Sequence, residues 1–179
     1  ILWNGAMVDA HHLPRSYLVV LLWFQLSEAI LLGLAFALCA GGAAFLRDRF
    51  AVLDHPKLLP LSILVAAAVV PLAAFAILTP VVYNGLRHFL FVIPPLGILA
   101  ALGWNWAFAA AASRGRSASF AAAAALVIAL APQVVTMVRM HPYQYVAYNT
   151  LVGGIAGAEG RFELDYWDTS LREIGRAHV

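Results

Sequence analysis

The densest group of residues able to do chemistry is YNGLRHFLFVIPPL, residues 83–96. Arg87 and His88 stand where a polar loop turns into an apolar run. A guanidinium presents a planar fork of donors that matches phosphate oxygens. The chemistry this pair suits is capture of a lipid phosphate at a membrane surface, with His88 helping Arg87. A snorkelling arginine that only sets topology needs the same residue, and the residues taken alone favour that plainer reading.

Other groups are weaker. Asp9, His11, His12, His88 and His141 carry metal-ligating atoms. Their spacing matches no closed-site pattern, and they come from separate loops, so no metal site is expected. Glu28 could carry a proton or bind substrate inside a membrane, but Ser27 beside it favours a helix-start role. Gly154, Gly157 and Gly160 lack the strand that precedes a dinucleotide loop and read as a flexible turn. Glu163, Asp165 and Asp168 read as a solvated strand face. No Ser/His/Asp or Cys/His pairing stands out. Cys39, the single cysteine, excludes an internal disulfide and reads as a small buried hydrophobe.

The elements that must position these residues follow from composition. Of 179 residues, 63% are hydrophobic and 11% charged, and mean hydropathy is +0.85. Soluble domains carry about 25% charged residues. A small soluble fold leaves too much surface in water to hide this apolar content. An ordinary soluble domain and a disordered chain are both excluded. The net charge of +2 is spread thinly, with no cluster of four basic residues, so a nucleic-acid partner is excluded too.

The expected fold is an all-α membrane protein with about four transmembrane helices and an interfacial helix. A span needs roughly 20 apolar residues. Residues 17–46 are too long for one upright span, and an acid at the bilayer centre costs roughly 2.5–3.5 kcal/mol. A break at Ser27-Glu28 resolves both, giving an interfacial segment 17–26 and a first span 28–46. Further spans are predicted over 58–79 with a kink at Pro71, 89–112 with Pro94-Pro95 near its start, and 118–138 with Pro132 near its end. The alanine runs 109–112 and 121–125 predict close helix packing. Residues 47–57 and 113–117 hold Arg47, Arg49, Lys57, Arg114 and Arg116, which assigns both loops to the cytoplasm. Residues 1–16, 80–88 and 139–179 then lie outside.

The outer tail is expected to change character. Tyr143, Tyr145 and Tyr148 predict an interfacial aromatic belt. RFELDYW alternates Phe162, Leu164 and Tyr166 against Glu163 and Asp165, which predicts the first strand of an outer soluble domain within 139–173. The chain opens on Ile1 and reads as a window on something longer. IGRAHV, residues 174–179, resembles a translated sequencing adapter and is expected to be non-native.

Three segments together resemble the late membrane region of family-39, protein-mannosyltransferase-like glycosyltransferases, which use polyprenyl-phosphate donors. The first is the Tyr83, Asn84, Gly85, Arg87, His88 loop leading to Pro94 and Pro95. The second is HPYQYVAYNTLVGG with GRFELDYW. The third is WNGAMVDAHHLPRSYL, matched at Leu13, Pro14, Arg15 and Tyr17. Relatives often carry a Lys and a Pro near Gln25 and Ser27, which this chain does not. The resemblance covers the chain to about Arg172. It implies transfer of a sugar from a polyprenyl-phosphate carrier to an acceptor on the outer face of a bacterial inner membrane, with no cofactor. It puts the catalytic acid upstream of Ile1. It makes Arg87 the candidate for the donor phosphate, with His88 as helper and Arg15 as a lesser candidate on the same face.

Two other readings compete. A transporter fragment predicts polar residues lining a path in mid-span, and the spans hold almost none beyond Gln133 and Asn105 near their ends. A non-catalytic structural membrane subunit fits a piece that lacks the acid.

Overall fold

The computed structural model describes residues 1–47, 58–82 and 85–164. The chain is an all-α membrane protein. Four helices are long and apolar enough to cross a bilayer. They are α2 (Glu28–Arg47), α3 (Leu58–Leu78), α4 (Ile93–Ala112) and α5 (Arg116–Arg139). A short helix, α1 (Tyr17–Gln25), precedes them, and a five-residue helix, α6 (Gly154–Ala158), follows. The third apolar segment starts as a 3-10 turn, Arg87–Val92, and becomes α-helical only at Ile93. Pro94 and Pro95 explain the boundary. They lack an N–H, and the first turn of a helix is where that costs least.

The expected break at Ser27 is present. Leu26 is extended, and the Ser27 hydroxyl accepts the Ile30 amide at 3.4 Å, capping α2 with Glu28 in its first turn. At the far end of α3, Thr79 sits in the left-handed region (φ 42°) just before Pro80, and its amide closes the last turn on Phe75.

Helix α2 packs chiefly on α4, and α5 covers both. The closest approach is at Gly33 and Gly103. A Cβ at Gly103 would strike the Gly33 carbonyl and the Ala37 amide, and a Cβ at Gly33 would lie 2.8 Å from Ala100 Cβ. Trp104 locks this crossing. Its indole N–H donates to the Ala29 carbonyl at 2.8 Å, and its ring meets Phe36 edge-on at 5.0 Å. The alanine runs do not make the close contact expected of them. Ala109, Ala112, Ala121 and Ala123–Ala125 are exposed, so they face lipid. Cys39 is likewise exposed on α2, not buried.

Beside the start of α2 lies a cap. Residues expected as a plain outer loop form a hairpin of β1 (Leu2–Trp3) and β2 (Ala6–Met7), closed by Asn4-Gly5 with φ of 48° and 86°. Asn-Gly suits the mirror-image turn that matches strand twist. The tail folds back on α1 instead of starting a separate outer domain within its described part. Phe162 bridges to Trp3, and Arg161 reaches Asn4 Oδ1 at 3.0 Å. Of the predicted strand, only this bridge is seen up to Leu164; Tyr166 and the rest, with 174–179, lie outside the described residues. Tyr148 is no belt residue. It is 4% exposed and stacks on Phe162 at 5.7 Å. The glycines at 154–160 are no flexible turn either. Gly154 and Gly157 belong to α6, where a Cβ at Gly157 would strike the Val152 carbonyl, and of the three only Gly160 lies in a turn.

Candidate functional site

One apolar cluster joins the cap to the neighbouring ends of the spans. It contains Leu13, Tyr17, Phe75, Val82, Leu86, Tyr148 and Phe162. Tyr17 meets Phe75 at 6.1 Å, and Phe75 meets Phe89 edge-on at 5.8 Å. The predicted phosphate-binding cations come off the rim of this cluster. Arg15 lies between buried Leu13 and Tyr17, and Arg87 directly follows buried Leu86. Arg15, Arg87 and His88 are all exposed. The structure therefore brings all three to the edge of one cluster, from segments 72 positions apart (87 − 15) in the chain. Tyr83 and Asn84 of the same motif lie outside the described residues.

Why Arg87 and His88 point outward is local. Gly85 takes φ 63°, which turns the chain, and Leu86 and Val92 are driven inward by burial. The 3-10 turn between them leaves Arg87 and His88 on its open side. Below the turn, Phe91, Pro94, Pro95 and Ile98 face Leu64, Val70 and Pro71 of α3 across an open groove of about 650 Å³. The groove wall is almost wholly apolar. Arg87 and His88 lie in the turn just before Phe91 and are not among the residues that line the groove.

The metal-ligating residues are otherwise engaged. Asp9 accepts the His11 amide at 3.0 Å, and this bond holds its carboxyl below the usual value. Its other oxygen is 3.9 Å from His12 Nδ1. His141 Nδ1 lies 3.0 Å from the Gln144 amide nitrogen. Among the described residues, no three His, Cys, Asp or Glu side chains converge.

The sequence did not point to Asn149 and Thr150, yet they are the polar centre of the cap. Asn149 Nδ2 donates to the Trp23 carbonyl at 2.7 Å and the Leu26 carbonyl at 2.8 Å, and its own amide donates to the Phe24 carbonyl at 2.8 Å. These carbonyls belong to the last turn of α1, where helical partners run out. Glu28 Oε1 accepts both the Thr150 amide and the Thr150 hydroxyl at 2.7 Å each. Glu28 is therefore a helix-start residue, as read from Ser27, and also the anchor of the returning tail. Glu163, expected on a solvated face, is half-buried, and its Oε2 and Gln25 Nε2 are buried with no hydrogen-bond partner among the described residues.

The anchor makes a prediction. Glu28→Ala removes both acceptor bonds, and at this partly exposed place the loss is about 1–2 kcal/mol. Hydrogen exchange at Thr150 and Leu151 should speed up accordingly, with Glu28→Gln intermediate. Unchanged protection in Glu28→Ala contradicts the anchor.

The chain matches no protein-family model, no curated protein and no solved structure.

Proposed function

We propose that this chain is part of a membrane glycosyltransferase that moves a sugar from a polyprenyl-phosphate donor to an acceptor on the outer face of a bacterial inner membrane. In this reading Arg87 holds the donor phosphate, His88 assists, and Arg15 supports from the facing loop. One observation carries it. Arg87 and His88 lie in the turn just before Phe91, Pro94 and Pro95, which line an apolar groove between α3 and α4, and an amphiphile with an anionic head and an isoprenoid tail needs a cation beside such a groove.

The chemistry follows from that placement. As the sugar–phosphate bond breaks, negative charge builds on the leaving phosphate. A guanidinium beside those oxygens would stabilise the charge. The acid that takes the acceptor's proton is assigned by the resemblance to a segment upstream of Ile1. The positive-inside pattern of the two Arg-bearing loops supports an outer location for the site.

The test is binding before turnover. The chain in detergent should retain a polyprenyl phosphate more strongly than the matching polyprenol. Arg87→Ala should weaken phosphate-lipid retention by about ten-fold to a hundred-fold, the worth of a charge-assisted hydrogen bond, and leave the polyprenol unaffected. In the enzyme containing the upstream segment, the same change should abolish transfer at normal expression. Equal retention of the two lipids, or near-normal turnover, overturns the reading.

A further inference from the structure

A second groove lies at the opposite end of the molecule from the cap, and the proposed donor site makes no use of it. Its volume is about 440 Å³, and it is lined by Ala112, Gly115, Arg116, Ser119, Phe120 and Ala123. On α5 these positions follow the i, i+4, i+8 stripe 115, 119, 123 and its neighbour 116, 120, so they share one face over two turns. Gly115, Ser119 and Ala123 make a shallow floor. Phe120, 72% exposed, makes a wall, and Arg116 stands at the mouth.

The charge at this end is mainly basic. Arg47 ends α2, Arg114 lies in the turn after α4, and Arg116 opens α5. All three are exposed, and α2, α4 and α5 pack on one another, so the three cations share one end of the bundle. No described residue at that end is acidic, and Asp48 and Asp54 of the loop 47–57 lie outside the described residues. Arg114 donates to the Ala110 carbonyl at 3.0 Å, which holds its head near the helix end.

We propose that this groove is a binding site for an anionic phospholipid of the adjoining leaflet. The phosphate sits on Arg116, with Arg114 behind it, and one acyl chain lies along Gly115, Ser119 and Ala123 against Phe120. The charge selects the occupant. A small-residue stripe also suits a second copy of the same helix. A symmetric second copy, however, brings its own Arg116 to the mouth, so like charges face each other. A lipid phosphate supplies the missing charge, and its tail fits the apolar floor. Basic residues beside a membrane attract anionic lipid with a strength of about fivefold per arginine.

Native mass spectrometry of the delipidated chain tests this, with phosphatidylglycerol and phosphatidylcholine of identical tails as the probes. The wild type should retain phosphatidylglycerol preferentially. Arg116→Gln should cut that preference about fivefold and leave phosphatidylcholine unchanged. Ala123→Phe fills the floor without altering charge, and it should weaken phosphatidylglycerol retention at unchanged helical circular dichroism. If Ala123→Phe loses helicity, Arg116→Gln alone decides. Equal retention of the two lipids by the wild type, or an unchanged preference in Arg116→Gln, overturns the proposal. So does a dimer that Ala123→Phe dissociates, which gives the groove to a second copy.

Discussion

Gly103→Ala should destabilise the membrane bundle by more than about 3 kcal/mol, although it adds a single methyl group. Overpacking a filled core usually costs about 1–3 kcal/mol, because neighbouring side chains can shift. At Gly103 the obstacles are the Gly33 carbonyl and the Ala37 amide, which are backbone atoms and have no rotamer to move to. α2 and α4 must separate. That separation also strains the bond from Trp104 to the Ala29 carbonyl and the Trp104–Phe36 edge contact. Gly97, six residues earlier on α4, is the internal control, because a Cβ there meets nothing within 4 Å. Gly97→Ala should be neutral or stabilising by up to about 1 kcal/mol, the ordinary helical gain over glycine. Reversible unfolding in mixed micelles, followed by tryptophan fluorescence, separates the two. If Gly103→Ala matches Gly97→Ala, the close crossing is not what holds the bundle.

Asn149→Ala should release the cap and leave the bundle intact. The side-chain amide satisfies two carbonyls at the end of α1, one of them in a buried pair. Each orphaned buried acceptor costs about 1–3 kcal/mol, so about 2–4 kcal/mol is lost in all. Asn149→Asp should be worse, because a carboxylate then faces two carbonyl oxygens with no donor. Exchange should rise through 144–162 and in α1, while the Gly33–Gly103 crossing keeps its protection. An Asn149→Asp variant as stable as the wild type refutes the clamp.

Much of this architecture was legible because the bilayer imposes a simple rule. Apolar runs of about 20 residues must be helices that satisfy their own backbone. Glu28 could not sit at a bilayer centre, so it marked the break between α1 and α2. Asn4-Gly5 is a hairpin signal, but strands of two residues each leave no alternation for the sequence to display. Asn149 was not. Its partners are 123 and 126 positions away, and nothing local separates it from a turn residue. Tyr148 misled for the same reason. A tyrosine just past a span suits an interface, and only the returning Phe162 makes it core. The alanine runs misled because small size permits close approach without requiring it, whereas Gly33 and Gly103 stand one in each helix at matching depth.

The Arg87 site was legible only in part. The residue types and the double proline marked it, and the groove beneath it could not be read. Its two walls come from α3 and α4, and neither helix shows a distinct apolar face from which to infer a neighbour.

The bonds of Asn149 carry a consequence for parity. Trp23 and Leu26 precede the four described membrane-spanning helices, and Asn149 follows them. For the two ends to meet, the chain between them must cross the bilayer an even number of times. If one span fails to insert, Asn149 is stranded in the wrong compartment and the end of α1 stays open. The cap thus acts as a checksum on topology. It closes only after the ribosome has delivered α5, and only if each preceding helix has gone through in turn. A misthreaded chain is left with exposed carbonyls and an uncovered aromatic cluster, the kind of surface that quality-control proteases recognise.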